Sequence, residues 1–110
     1  MARVVAFIPD LLFGSNVQGA LGAGGHEVEL VGTLDAGVDA DVLVVDLTAD
    51  ALARIEQAAA ARPPGVPVLA FYSHVEADVK RQAENAGFEL VVPRSRMARE
   101  GAALVDRLSA

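Results

Sequence analysis

Two uninterrupted apolar runs constrain the fold of this 110-residue chain more than any other feature. They are DVLVVDL at 41–47 and VPVLAFY at 66–72, and neither alternates polar with apolar residues. Continuous apolar strands are typical of parallel sheets with helices on both faces. RVVAFI near the start and ELVV at 89–92 have the same character, whereas HEVELVG at 26–32 alternates as an edge strand does. The sequence therefore predicts five strands of one parallel sheet.

Helical patterns lie between these strands. The apolar spacing predicts helices over about 14–23, 50–62, 75–86 and 96–108. This alternation implies right-handed crossovers in a doubly wound α/β fold. Only GTLDAGVDA separates the second and third strands, and nine residues span at most ~30 Å. We therefore predict a single domain over residues 1–110 with strand order 2-1-3-4-5, in which the helix between strands two and three is missing or very short.

Three helices carry specific expectations. In the helix at 50–62, Thr48 or Asp50 is the expected N-cap, and the inward stripe is expected to be Leu52, Ile55 and Ala59. Ser95 is expected to cap the last helix. In the helix at 75–86, Gly87 suits a left-handed stop.

Composition excludes several classes of function. The chain has no cysteine, which removes thiolate chemistry and favours a cytoplasmic protein. Residues 1–60 hold nine acids and two bases, a net charge of −7, whereas residues 61–110 hold six acids and seven bases, a net charge of +1. An acidic chain without a basic stripe argues against nucleic-acid binding. No apolar run reaches the ~20 residues of a membrane span, and no signal-peptide pattern opens the chain.

Polar side chains follow four of the predicted strands. Asp10 follows the first strand, Asp46 ends the third, Ser73 and His74 follow the fourth, and Arg94 and Ser95 follow the fifth. Carboxyl ends of parallel strands form the usual ligand-binding edge of such a sheet. In the order 2-1-3-4-5, Asp10 and Asp46 would face each other, and a cation or Arg94 would relieve their repulsion. Either acid can instead serve as a helix cap.

Familiar motifs for other chemistries are absent. The glycines of LGAGGHEV precede the second strand, whereas a dinucleotide fingerprint must follow a strand and open a helix. No P-loop and no Gly-x-Ser-x-Gly elbow occur. His26 and His74 belong to different strands, which argues against a zinc site built on histidine.

The polar residues at the strand ends resemble those of a response-regulator receiver domain. Asp46 in DVLVVDL matches the phospho-acceptor position, and Asp10 in FIPD matches one acid of the pair after strand one. In AGFELVVPRS, Arg94 and Ser95 stand where receivers carry Lys-Pro. The hydroxyl position falls on Tyr72, or on Ser73 with a one-residue shift. The resemblance covers nearly the whole chain and implies a flavodoxin-like fold.

The chain departs from the receiver pattern at its metal site. Pro9 stands where the second acid is expected, so one magnesium ligand is missing. Asp10 and Asp46 would then bind only a weak Mg²⁺, if any. Arg94 can neutralise a carboxylate without metal, with a geometry unlike that of Lys.

Three functions remain open from the sequence. The first is a degenerate, pseudo-receiver module for signalling or protein interaction, not stably phosphorylated and not an enzyme. Its partner, another protein or a second copy, would bind the face of strand five and the last two helices. The second is a genuine phospho-accepting response regulator that uses Asp46. The third is a small ligand-binding domain or enzyme that uses Asp10, Asp46, His74 and Arg94.

Overall fold

The five predicted strands form one parallel sheet. The computed structural model describes residues 1–73 and 77–110, with the backbone alone at residue 77. The strands are β1 (Arg3–Phe7), β2 (Glu27–Val31), β3 (Val42–Asp46), β4 (Val68–Tyr72) and β5 (Leu90–Pro93). Their order is β2-β1-β3-β4-β5, and every neighbouring pair is parallel. The predicted order is confirmed. Residues 32–41, between β2 and β3, contain no helix, as expected.

Four helices cover the two faces of the sheet. They are α1 (Leu11–Ala23), α2 (Ala51–Ala61), α3 (Ala77–Asn85) and α4 (Arg94–Ser109). On one face, Val17 and Leu21 of α1 pack with Leu104 of α4 against the sheet. On the other face, Ile55 of α2 packs with Val79 of α3. The continuous apolar strands are therefore buried from both sides, as their composition predicted.

Two helices begin earlier than the sequence predicted. Helix α1 begins at Leu11 rather than near residue 14, because the Asp10 carboxylate accepts a hydrogen bond from the Phe13 amide and caps the helix. Helix α4 begins directly after Pro93, whose backbone is extended and whose side chain makes no capping bond. The expectation that Ser95 caps this helix is wrong, since Ser95 already lies in its first turn.

The inward face of α2 is rotated from the predicted stripe. Leu52 is 58% exposed and Ala59 is exposed, whereas Ile55 and Ala58 are buried. The buried positions continue through Arg54, which is half-buried on the same side of the helix. The prediction of Ile55 as inward is confirmed, whereas selection by apolar residues alone chose Leu52 over Arg54 and rotated the rest of the stripe.

Helix α3 ends as the sequence predicted. Gly87 has φ +87°, in the left-handed region that glycine adopts without strain, and its amide donates to the carbonyl of Glu84. Val79 and Ala83 are buried against the sheet. The predicted start of this helix at residue 75 lies outside the described residues.

No helix in the described part of the chain is long and apolar enough to cross a membrane.

Candidate functional site

Asp46 is the last residue of β3 and is almost fully buried. Its Oδ1 accepts hydrogen bonds from the Thr48 amide at 2.8 Å and from the Thr48 hydroxyl at 2.6 Å. An acid that bonds the amide two residues ahead forms an Asx turn. The turn leads the chain out of the sheet toward α2. Thr48 therefore bonds Asp46 and is not the side-chain cap predicted for the helix.

The guanidinium of Arg54 occupies the other side of the Asp46 carboxylate. Its Nη1 lies 3.3 Å from Asp46 Oδ2 and donates to the Asp46 main-chain carbonyl at 3.1 Å. The two side chains are 13% and 3% exposed, so this is a buried ion pair. The guanidinium also lies 5.9 Å from the ring centroid of Phe7, on the neighbouring strand β1. Both carboxylate oxygens of Asp46 therefore have partners within the chain.

The position of Arg54 needs an anion nearby. It lies in the first turns of α2, where the helix dipole disfavours a positive charge. Asp50 occupies the N-cap position of α2 with φ 47°, but its side chain makes no capping hydrogen bond. The predicted cap is therefore correct in position and lacks the expected bond. The Asp46 carboxylate supplies the compensating charge. This pairing holds the start of α2 against the end of β3.

Asp10 has a separate, structural partner. Its side chain is exposed at the end of the first βα turn and accepts from the Phe13 amide at 3.0 Å. The sequence placed Asp10 and Asp46 opposite each other at one edge of the sheet. In the structure Asp10 caps a helix and Asp46 forms an ion pair. Among the described residues, no cationic side chain contacts both carboxylates.

Arg94 does not bind either acid. Its guanidinium lies over the ring of Phe13, 4.4 Å from the centroid, in a cation–π contact. Phe13 also packs against Phe71, with ring centroids 5.0 Å apart. The expected ion pair between Arg94 and Asp10 or Asp46 is therefore replaced by the pair with Arg54, which reaches Asp46 from α2.

Three of the predicted site residues share one cavity. Ser73, Arg94 and Ser95 line an open cavity of about 380 Å³ with Phe13, Pro93 and Ala98. Asp10 and Asp46 are not among its lining residues. His74, which the sequence added to this site, lies outside the described residues. The structure thus brings together the residues that follow β4 and β5, and separates them from the two acids.

The donor set for a divalent cation is incomplete. Among the described residues, no three His, Asp or Glu side chains lie close enough to hold a metal ion. The Asp46 oxygens are bonded to Thr48 and Arg54, and the Asp10 carboxylate caps α1. Magnesium is usually bound through one or two carboxylates with open oxygens, and water completes its octahedral shell. The residues present therefore do not fit the magnesium site that the resemblance implied.

Sequence reasoning missed Arg54. The signal was available, because Ala51, Arg54, Ile55 and Ala58 follow the i, i+3, i+4, i+7 spacing of one helical face. An arginine on the inward stripe, in the first turn of the helix that follows a strand-end acid, predicts an ion pair between them. An analysis based on apolar residues assumes that arginine faces solvent, so the ion pair was overlooked.

The fold resembles that of solved receiver domains. The receiver domain of the Francisella response regulator 1452 superposes with a TM-score of 0.82 at 15% identity, covering 99% of this chain and 97% of that one. A response regulator receiver domain protein from Clostridium thermocellum gives 0.83 at 14% identity, covering 99% and 94%. NtrX from Brucella abortus gives 0.79 at 18% identity, and this chain spans only 26% of it.

Comparisons of sequence find no match. No protein-family model matches the chain, and no curated protein sequence matches it. The similarity therefore rests on three-dimensional structure at 14–18% identity, which establishes architecture and not activity. Each of the three superpositions covers 98–99% of this chain. This chain has the flavodoxin-like fold of response-regulator receiver domains.

Proposed function

We propose that this protein is a pseudo-receiver, a signalling module that acts by binding another protein and is not stably phosphorylated. One observation carries the proposal: the carboxylate at the phospho-acceptor position, Asp46, is bonded on Oδ1 by Thr48 and on Oδ2 by Arg54. The pair with Arg54 takes the place that a metal ion and a phosphoryl group would need.

Phosphorylation of an aspartate requires a free carboxylate oxygen. That oxygen attacks phosphorus in line with the leaving group, and the new acyl phosphate carries charge that a cation must neutralise. The Asp46 side chain is only 3% exposed, its Oδ1 accepts two hydrogen bonds from Thr48, and its Oδ2 is ion-paired with Arg54 at 3.3 Å. Charge-assisted bonds of this kind stabilise the carboxylate in its ground state and reduce its reactivity as a nucleophile.

The other parts of a phosphoryl-transfer site also point away from that reaction. Pro9 supplies no carboxylate where the resemblance expects one, and Asp10 caps α1. Arg94 lies on Phe13 and not beside Asp46. We therefore propose that no metal ion is needed, because Arg54 neutralises Asp46 in its place.

An enzymatic function is disfavoured by the same separation. A catalytic site built from Asp10, Asp46 and Arg94 requires the three side chains to converge, yet each has its own partner. His74 lies outside the described residues. We propose a non-enzymatic role, and the cytoplasmic location expected from the sequence stays a prediction.

A protein partner fits the charged face formed by β5, α3 and α4. Its exposed charged side chains include Asp78, Lys80, Arg81, Glu84, Arg99, Glu100 and Arg107. Mixed charge of this density steers association and gives specificity for a complementary surface. The expectation that this face binds a partner stays a prediction.

A second candidate, a genuine phospho-accepting regulator, has one observation in its favour. Asp46 ends β3 at the carboxyl edge of a receiver-type sheet, the position that the resemblance assigns to the nucleophile. For this function the Arg54 side chain would have to leave Asp46 before the reaction.

Phosphodonor treatment distinguishes the two candidates. The protein is incubated with Mg²⁺ and acetyl phosphate, and intact mass is followed from the earliest time point, together with release of inorganic phosphate. We expect no added phosphoryl group and no phosphate release above the uncatalysed rate. A hydroxylamine-sensitive phosphoryl group on the wild-type protein, absent from Asp46→Asn, would overturn the proposal and establish the second candidate.

A gain-of-function variant tests the physical reason. In Pro9→Asp/Arg54→Ala, the missing acid is restored and Asp46 Oδ2 is freed. We expect this variant to accept a phosphoryl group under the same conditions. The matched control is Pro9→Asp/Arg81→Ala, which removes an exposed arginine from α3 and leaves the Arg54 pair in place.

A further inference from the structure

Helix α1 exposes two leucines on a surface that carries no charge. Leu11 is 82% exposed and Leu12 is 75% exposed. The helix sequence LLFGSNVQGALGA has no acidic or basic residue, whereas α2, α3 and α4 all carry charges. Exposed helices of soluble domains are normally rich in charged side chains, and depletion of charge is typical of the core of protein interfaces.

The exposed side of the helix forms one continuous ridge. Its members recur every three or four residues, with two of them adjacent in the middle, which places them on one side of an α-helix. We call this surface the α1 face and define it by Leu12, Ser15, Asn16, Gly19 and Ala23, all exposed. It lies opposite the buried residues Val17 and Leu21, which pack on the sheet.

An apolar cavity opens beside the α1 face. It has a volume of about 100 Å³ and lies between α1 and α4, and its rim includes the exposed residues Asn16, Ala20 and Ala98. Its floor is apolar, formed by Val17, Leu21 and Met97 among others. A cavity of this size accommodates one aliphatic side chain. The α1 face, which carries the exposed Leu12, and the apolar cavity therefore lie side by side and share Asn16.

We infer that the α1 face binds a second copy of this chain in an antiparallel, two-fold arrangement. An antiparallel pair of α1 helices centred on Asn16 puts Leu12 of one copy opposite Ala20 of the other, at the rim of its cavity. The same contact is made twice, as two-fold symmetry requires. The leucine side chain and the cavity that it enters then belong to two copies of the same chain, and no other protein is needed to fill the cavity.

Charge does not oppose an identical copy at this surface, as it would elsewhere on the chain. The chain carries a net charge of −6, so two copies repel each other wherever acidic surfaces meet. The α1 face brings no like charges together across a two-fold axis. Its polar residues Ser15 and Asn16 each contain a donor and an acceptor, so they can pair with the same residues of a second copy.

The interface is small, so the association should be weak. Helix α1 has 13 residues and is about 20 Å long. Contacts below the standard interface size are typical of transient complexes. We expect a monomer at about 10 µM and an increasing dimer fraction toward about 1 mM. This inference goes beyond the proposed function and does not depend on whether Asp46 is phosphorylated.

Sedimentation equilibrium of the full chain tests the inference. The weight-average mass should rise from 11.4 kDa toward twice that value across this concentration range. Added salt should strengthen association, because it screens the repulsion between two acidic copies and no ion pair is lost. A wild-type chain that stays monomeric throughout would overturn the inference, and the face would then belong to another protein.

Matched substitutions place the interface. Leu12→Glu should abolish the rise in mass, whereas Leu52→Glu should leave it unchanged. Both substitutions put the same charge on an exposed leucine, but Leu52 lies on α2, on the opposite face of the sheet. Circular dichroism should show both variants folded. Equal association of Leu12→Glu and wild type, or equal loss in both variants, would contradict the assignment.

Cross-linking reports which residues meet in the dimer. The chain has no cysteine, so a single introduced thiol reports only its own neighbours. Asn16→Cys lies at the proposed two-fold axis and should form an intermolecular disulfide under mild oxidation. Ala53→Cys, on exposed α2, should stay monomeric under the same conditions. Equal cross-linking of the two variants would overturn the antiparallel arrangement.

Discussion

One nitrogen of Arg54, Nη1, contacts two oxygens of Asp46: it lies 3.3 Å from the carboxylate Oδ2 and 3.1 Å from the main-chain carbonyl oxygen. The contact ties a helical side chain to the end of a buried strand. It therefore serves two purposes at once, because it neutralises a buried charge and fixes the start of α2.

Replacing Arg54 should destabilise the protein severely. In Arg54→Ala the Asp46 carboxylate keeps its two bonds from Thr48 but loses its counter-charge in a buried site. Removing one partner of a buried ion pair typically costs about 3–5 kcal/mol. We expect the free energy of unfolding to fall by about 3 kcal/mol, as measured by urea denaturation at pH 7.

Two variants control for this interpretation. Arg81→Ala removes an arginine from an exposed pair with Asp78 and should change stability by less than about 1 kcal/mol. The double variant Asp46→Asn/Arg54→Met should lose less than the sum of its single substitutions, because no buried charge is left unpaired. Strict additivity would show that the two residues do not interact in solution.

The sheet was predictable because its strands are buried on both sides. Continuous apolar runs such as 41–47 have few alternative explanations in a chain of this length, and the short connection over residues 32–41 limited the strand order. The positions of the helices were also predictable, but their first residues were not. The Asp10 cap and the extended backbone of Pro93 moved two helix starts toward the strands.

The site was predictable only as a set of strand ends. Strand topology brings Asp46 and Arg94 to the same edge of the sheet, but it says nothing about side-chain partners. An aromatic ring, Phe13, competes for Arg94, and a helical arginine competes for Asp46. Both competitions depend on the rotation of a helix about its axis. A one-residue error in the stripe of α2 was enough to conceal Arg54.

A second polar cluster should make stability depend on pH in the acid range. Glu89 accepts from the Val68 amide at 2.9 Å and pairs with Arg62. Burial alone would raise the pKa of Glu89, but the Val68 amide and the Arg62 guanidinium outweigh it, and the pKa lies below its ordinary value of 4.5. A lowered pKa in the folded state means that the stabilisation is present above the unfolded pKa and is lost as pH falls through the folded one.

Glu89→Gln isolates the charge of this cluster. Glutamine can still accept from the Val68 amide, so only the ionic part of the interaction is removed. We expect the variant to be less stable by under about 1 kcal/mol at pH 7, because the Glu89 side chain is 40% exposed and partly screened. The difference in unfolding free energy should shrink toward zero as pH falls below about 4. A difference that is constant with pH would contradict the ionic origin.

His26 should stabilise the fold through its bond to the backbone. Its buried Nδ1 accepts from the Ala2 amide at 3.1 Å, which leaves the proton of the neutral ring on Nε2. Nε2 lies 2.7 Å from Asp106 Oδ1, although the contact lacks hydrogen-bond geometry. His26→Phe keeps the ring but leaves the Ala2 amide without an acceptor, so we expect thermal and urea unfolding to show a loss of about 1–3 kcal/mol.

The Asp106 contact should matter less than the backbone bond. Asp106 is largely exposed, and an exposed partner contributes little because water screens it. We expect Asp106→Ala to cost less than about 1 kcal/mol in the same experiment. If this variant were the more damaging of the two, the contact with Asp106 rather than the Ala2 amide would be the stabilising interaction of His26.

Two glycines at the end of α1 should respond in opposite directions to alanine. A Cβ at Gly24 would lie 2.7 Å from the Cβ of Ala102, so α1 and α4 could not keep their close approach. A Cβ at Gly22 meets nothing within 4 Å, and the residue lies in the last turn of the helix. We expect Gly24→Ala to lower the free energy of unfolding by about 1–3 kcal/mol and Gly22→Ala to raise it by up to about 1 kcal/mol. Urea denaturation at low protein concentration measures both, and a loss in both variants would show that the helix end is constrained by more than the contact with Ala102.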